Sequence, residues 1–287
     1  MMQISTPLSV TDHRRDIAGM TYVYPVVSRR AGGVSVGINL NTNNACNWRC
    51  IYCQVPNLIH GAAPPTDLAL LTAELRTMLQ EILHGRFLEE RVPEGARRLN
   101  DIALSGNGEP TSAKAFPEVI ESVGQVLVEF ELVGAVRLVL ITNGSLVHQT
   151  HVQAGLARMA QLHGEVWFKL DAGTRESMRR INGTQQTPDR TLKNLVTAAG
   201  LCPTWVQTCV FALDGEPPAA DERQAYLDLL ARALKQGVRL EGVLLYGLAR
   251  PSLQPEAARL SCLSAAWLED WAAQIQQRLG LAVKVTP

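Results

Sequence analysis

The sequence predicts an α/β chain folded as a partial (βα)6 TIM-like barrel of parallel strands, on three observations. Short apolar runs alternate with helical patterns from residue 34 onward. Several of those runs are continuously apolar, as parallel strands covered by helices are. The helical segments between them suit right-handed crossovers, which join parallel neighbours. Six such units fall short of the eight that close a barrel, which favours an open three-quarter barrel. A flat doubly wound sheet is the competing arrangement.

The strand candidates are "VSVGINL" (34–40), "DIALS" (101–105), "VRLVLIT" (136–142), "EVWFKLD" (165–171), "TWVQTCVFA" (204–212) and "LEGVLLYG" (240–247). The first helix candidate, "TDLALLTAELRTMLQEIL", opens on Thr66 and Asp67 as capping residues and repeats leucine at helical spacing. "FPEVIESVGQVLVEF", "HVQAGLARMAQL", "PDRTLKNLVTAAG" and "ADERQAYLDLLARALKQG" follow, the last two stopping at Gly200 and Gly237. A final pair, "SAAWLEDWAAQIQQRLG" then "LAVKV", closes the chain. With no repeat and no low-complexity linker, a single domain over residues 1–287 is expected. Its core spans about 22–250, after a short N-terminal extension.

The 287 residues carry 27 basic and 27 acidic side chains, a formal net charge of zero. That balance argues against a surface built for phosphate backbones, although Arg29–Arg30, Arg97–Arg98 and Arg179–Arg180 are local basic pairs. "MMQISTPLSVTDHRRD" lacks the apolar core of a signal peptide, and no run approaches the ~20 apolar residues of a membrane helix. A cytoplasmic protein is expected, with cysteines kept reduced and free for metal or catalytic roles.

Three of the six cysteines, Cys46, Cys50 and Cys53, crowd into "NNACNWRCIYCQVPN" directly after the first strand. Open α/β sheets and barrels place their sites at that end. A structural zinc site wants four ligands in a closed tetrahedron, so three thiols suggest a metal centre with an open position. A [4Fe–4S] cluster with one free iron meets that description. Zinc with a distant fourth ligand and plain structural cysteines are the other readings.

The Cys-x3-Cys-x2-Cys spacing, with Tyr52 ahead of the last cysteine, resembles the signature of the radical S-adenosylmethionine (SAM) superfamily. The resemblance implies a [4Fe–4S] cluster on the three cysteines and SAM chelating the open iron. Reductive cleavage of SAM to a 5′-deoxyadenosyl radical then abstracts hydrogen from a substrate, and a low-potential donor such as flavodoxin or ferredoxin supplies the electron. The second strand ends "SGNGEPT", similar to the family's glycine-rich turn for the SAM amino group, here Gly106, Asn107, Gly108 and Glu109. Glycines allow close backbone approach, and carbonyl or carboxylate acceptors suit an ammonium. "LITNGS" and "WFKLDAGT" resemble segments lining the SAM ribose and the substrate, which gives Thr142, Asn143, Lys169 and Asp171 contact roles. Lys169 stands where the family often has serine. Two apart on a strand, Lys169 and Asp171 are expected on one interior face, as cofactor contacts or as a structural pair.

The order of "YPVVSRRAGGVSVGINL", "SGNGEPT", "TNGS", "KLDAGTRESMRRINGT" and "YGLARPS" resembles the branch that holds the archaeal-type wybutosine synthases, which act on a tRNA guanosine. The chain has no cysteine ahead of Cys46 for that branch's second cluster and no basic excess. A tRNA-modifying enzyme is therefore the alternative, and RNA is an open but disfavoured partner. A non-catalytic Fe–S electron carrier is a further alternative, against which the SAM-binding turn speaks. Cys202, Cys209 and Cys262 match no compact cluster motif and read as buried packing residues. An auxiliary cluster or a thiol hydrogen donor would be their other uses. Cys209 and Tyr246, on late strands, are the candidate catalytic donors.

Overall fold

The computed structural model describes Leu8, residues 18–28 and residues 32–287. The Arg29–Arg30 pair lies outside the described residues. Every predicted strand is present: β2 (Gly33–Ile38), β3 (Leu99–Leu104), β4 (Arg137–Thr142), β5 (Glu165–Lys169), β6 (Thr204–Cys209) and β7 (Gly242–Tyr246). Among the described residues the sheet has eight strands: β8 (Val283–Thr286) is the expected closing strand at one edge, and β1 (Val23–Ser28) adds an unexpected one at the other. β1 runs antiparallel to β2, whereas β2 through β8 are all parallel. Both have edge character. β1 carries Pro25, which an edge tolerates, and β8 carries Lys284, whose ammonium lies 4.1 Å from the Trp205 ring centroid.

Hydrogen-bonded neighbours follow chain order from β1 to β8 without reversal. A doubly wound sheet reverses direction at a switch point, so this order excludes it. The result is a curled, open half-barrel. Crossover helices join the strands: α1 (Leu68–Leu83) before β3, α2 (Phe116–Glu129) before β4 and α3 (Thr150–Gln161) before β5. Next come α4 (Arg175–Asn182) and α5 (Pro188–Leu201) before β6, α6 (Ala220–Lys235) before β7 and α7 (Ala265–Leu279) before β8. Local chemistry sets their ends. Asp67, Thr174, Thr187 and Ser264 cap α1, α4, α5 and α7 by accepting backbone N–H bonds, and Gly183 ends α4 in the left-handed region at φ 59°.

Strand side chains alternate between two environments. Val36, Ile38, Ile102, Leu104, Leu138, Leu140, Phe168, Val206 and Leu245 pack outward beneath the helices in the main core, against side chains such as Leu75, Ile120, Leu156, Leu195 and Leu230. The alternate positions, among them Ser35, Asp101, Trp167, Lys169 and Gln207, line the hollow of the barrel. Polar residues hidden in apparently apolar runs therefore belong to the inner face. Among the described residues, no helix is long and apolar enough to cross a membrane.

Candidate cluster and cofactor site

The cysteine loop leaves β2 at its C-terminal end and is held by asparagines. Asn39 accepts from the N–H groups of Asn41 (3.1 Å) and Asn107 (3.0 Å) through its side-chain oxygen. The Asn41 amide donates to the Ala45 carbonyl (2.9 Å), and Asn107 donates to the Asn44 side chain (2.7 Å). Asn44 itself sits at φ 56°, a conformation asparagine tolerates better than most residues. The loop and the 106–109 turn are thus sewn together by short amides.

Further contacts fix the loop from three sides. Asn47 accepts from Asn143 and donates to Ser145, both at 2.8 Å. At the C-terminal end of α4, Asn182 and Ile181 accept from the N–H groups of Arg49 and Ile51, and the Asn182 amide reaches the Cys50 sulfur at 3.4 Å. From beyond β7, Ser252 donates to the Ile51 carbonyl (2.7 Å), and Gln254 to the Val55 carbonyl (3.0 Å). Apart from Asn143, none of these polar anchors was singled out from the sequence. The "NGT" that ends α4 and the "RPS" after β7 were visible only as pieces of a resemblance.

Cys46, Cys50 and Cys53 line one cavity together with the whole 106–109 turn, Asn143, Lys169 and Tyr246. No described cysteine is in a disulfide. Burial pushes the Cys46 and Cys50 thiols up to about 12, so their thiolates need a nearby cation to persist. Among the described residues, no three His, Cys, Asp or Glu side chains converge on a single ion. A four-iron cluster takes each thiolate on a different iron, so its ligands surround a volume instead of a point. Three free thiols around a cavity that also receives a glycine turn fit such a group.

Glu109 is 2% exposed, and its carboxylate is heavily engaged. Oε1 accepts from the Thr111 N–H (3.1 Å) and from the Thr111 and Thr142 hydroxyls (both 2.6 Å), while Oε2 accepts from the Asn143 N–H (2.6 Å). Burial raises its pKa from the ordinary glutamate value, and the four donors oppose that rise. Glu109 therefore ties the ends of β3 and β4 together, which places Thr142 behind the cavity wall and Asn143 in it.

The glycines of the turn are demanded by close packing. A Cβ on Gly108 would stand 2.0 Å from the Ala45 carbonyl oxygen, and one on Gly106, at φ 148°, would stand 2.4 Å from the Asn39 side-chain oxygen. Both neighbours belong to the segment that carries Cys46.

Of the two readings of Lys169 and Asp171, the direct structural pair is not formed among the described residues. The Lys169 ammonium donates to the Tyr246 hydroxyl (3.2 Å) and lies 5.0 Å from the Tyr52 ring centroid. Burial alone would lower its pKa, but the fields of Tyr246, Asp171 and Cys50 prevail and raise it. Asp171 lies past the end of β5 and lines a neighbouring cavity. It accepts from the Tyr52 hydroxyl, the Asn182 amide (2.7 Å) and the Cys209 N–H (2.9 Å), which braces the cysteine loop against β6. Departure from the strand's two-residue period separates the two charges.

The remaining cysteines sit apart. Cys202 is buried in the main core and donates to the Gly164 carbonyl at 3.3 Å, whereas Cys262 is exposed. Cys209 packs beside Tyr52 and Phe211 and lines the neighbouring cavity; Tyr246 faces the cluster cavity. Cys262 thus departs from the expectation of a buried packing residue. The Arg97–Arg98 and Arg179–Arg180 pairs face different partners: Arg97 donates to the Val92 and Glu89 carbonyls, and Arg180 pairs with Glu222.

An open α/β half-barrel with a three-thiol loop and a glycine turn at its C-terminal mouth defines a class of cofactor-dependent proteins. The Radical SAM superfamily profile matches residues 40–230, and the chain belongs to that superfamily. A UPF0026 protein of Helicobacter pylori is 27% identical over 159 residues, covering 55% of this chain and 44% of its own. A UPF0026 protein of Synechocystis is 29% identical over 161 residues, covering 56% and 52%. The chain thus spans about half the length of the curated relatives it matches. A radical SAM methyltransferase from Sphaerobacter thermophilus superimposes with a TM-score of 0.58 at 14% identity, over 88% of this chain and 66% of that one. That likeness bears on the fold. The wybutosine-type branch finds no support in these matches.

Proposed function

We propose that this chain is a radical SAM enzyme holding a [4Fe–4S] cluster on Cys46, Cys50 and Cys53, with SAM on the fourth iron. When bound, the cluster supplies the electron for reductive cleavage of SAM to a 5′-deoxyadenosyl radical, which takes hydrogen from a substrate. The observation that carries this reading is the shared cavity: three free thiols and the 106–109 turn open into the same volume.

The chain's own residues bind, orient and shield. Glu109 spends its carboxylate on four protein donors, so the backbone acceptors of the turn are the groups available to the SAM ammonium. Asn143, which lines the same cavity as the turn, contacts the ribose side of SAM in this reading. The Tyr52–Asp171 bond holds the cysteine loop down, and burial of Tyr52 keeps its phenol protonated. Of the two candidate hydrogen donors, Tyr246 is the one that faces the cluster cavity. An external low-potential protein, of the flavodoxin or ferredoxin kind, delivers the electron.

The test is anaerobic reconstitution. Wild-type protein should take up about four irons per chain and, once reduced, release 5′-deoxyadenosine from SAM. Changing Cys46, Cys50 and Cys53 together to Ala should abolish both, because thiolates are the soft ligands in that loop. Full iron content in the triple variant, with the fold intact by circular dichroism, would overturn the assignment.

A further inference from the structure

The cluster cavity extends well below the cysteine loop. Its wall includes Ser35, Asp101 and Trp167, which lie deeper in the barrel than the turn after β3. Its volume is about 270 Å³, near the lower end of the ~300–1,000 Å³ of an ordinary ligand pocket. The deep part has chemistry that neither the cysteines nor the turn uses.

Gln207 on β6 is 1% exposed and lines this cavity, and its side-chain oxygen has no hydrogen-bond partner. Buried polar atoms are normally paired, and an unpaired one is costly. Gln207 stands in register with Lys169 on the neighbouring strand. Parallel neighbours are ~4.8 Å apart, so one small molecule can touch both side chains. Lys169 is half-buried, and among the described residues no carboxylate lies within ion-pair distance of its ammonium; Asp171, near enough to act on it through its field, spends its oxygens on Tyr52, Asn182 and Cys209. Strand β4 separates Lys169 on β5 from β3 and the glycine turn, and Gln207 lies one strand further on.

We propose that Lys169 and Gln207 form the substrate-recognition subsite of the barrel, built for a small organic acid. Its carboxylate meets the Lys169 ammonium, and a hydroxyl or amino group beside that carboxylate donates to the Gln207 oxygen. One ammonium matches a monoanion, which favours carboxylate over dianionic phosphate. Trp167, one layer below Lys169 on the same face, supplies an apolar surface for the rest of the molecule. The inference rests on the radical SAM reading for its claim that the ligand is a substrate, but the subsite is read by binding alone.

The probes are L-lactate, glycerate, pyruvate and sn-glycerol 3-phosphate, titrated by calorimetry and ligand-observed NMR into cluster-loaded protein with and without SAM. Lactate and glycerate should bind about tenfold tighter than pyruvate, the worth of one hydrogen bond. Gln207→Leu should bring that ratio close to one while pyruvate binding holds. Lys169→Met should weaken all the carboxylates by tenfold or more. The near-equal volumes in both exchanges protect the fold, and circular dichroism checks it; should Lys169→Met fail to fold, the lactate-to-pyruvate ratio in Gln207→Leu still decides. No carboxylate binding at roughly 10 mM would overturn the proposal. Tighter binding of glycerol phosphate than of glycerate would overturn the carboxylate class. An equal loss of SAM affinity in both variants would assign these residues to SAM instead. Iron content and SAM cleavage, measured in parallel, report separately on the radical SAM reading.

Discussion

Replacing Glu109 by Gln changes one atom at the point where β3, β4 and the glycine turn are fastened. In the wild type, Oε1 serves three donors and Oε2 serves the Asn143 N–H. An amide that keeps its oxygen on the three-donor side turns an NH2 toward the Asn143 N–H, donor against donor. The reverse rotamer sets the NH2 against the Thr111 N–H instead, while the two hydroxyls can turn to accept from it. One buried N–H is therefore left unpaired, at a cost of about 1–3 kcal/mol. Glu109→Ala strands the Thr111 and Asn143 N–H groups together, and the two hydroxyls lose their acceptor, which raises the cost to roughly 3–6 kcal/mol. That is a large part of the ~5–15 kcal/mol that holds a typical domain together. Urea denaturation followed by circular dichroism gives the loss, and amide hydrogen exchange at Asn143 locates it. A Gln variant within about 0.5 kcal/mol of wild type, with Asn143 protection unchanged, would refute the account of Glu109 as a tie between strands.

The packing at Gly108 predicts that Gly108→Val damages the cluster as well as SAM binding. A Cβ there overlaps the Ala45 carbonyl and the Asn41 side chain, so the cysteine loop is displaced. Iron uptake on reconstitution should fall together with SAM cleavage; full iron with cleavage alone lost would place the glycine requirement in SAM contact only. The buried thiols predict an alkaline loss of stability in the metal-free, reduced protein. Cys202 and Cys209 have pKa values raised by burial above the ordinary 9.0, so between that value and the folded one the native chain binds more protons than the unfolded chain. Their contribution is complete below about pH 9 and declines above it, by about 1.4 kcal/mol per thiol at one pH unit higher. Urea midpoints across that interval should slope downward, and less steeply in the Cys202→Ala, Cys209→Ala double variant. A flat profile in the wild type would contradict the burial of these groups.

The sequence by itself determined the parallel strands and the three-thiol spacing of the cysteine loop, because both are written in local patterns. Apolar runs such as "VRLVLIT" report strands that helices cover, and thiols at fixed short spacing report a metal whatever the rest of the chain does. The closing strand β8 was legible as "LAVKV", whereas the edge strand β1 escaped, since Pro25 interrupts its short apolar run. Only the tertiary structure decided which way side chains faced and what they met. Lys169 and Asp171 are two apart in sequence, yet the chain leaves the strand between them and sends them to different cavities. Gln207 reads as an ordinary member of an apolar run until curling of the sheet puts it, unpaired, beside Lys169. Asn39, Asn182 and Gln254 grip the cysteine loop from segments up to two hundred residues away. A hydrogen bond between distant residues costs nothing to the local pattern of either one, so it leaves no trace there; it exists once the sheet has brought the strand ends together.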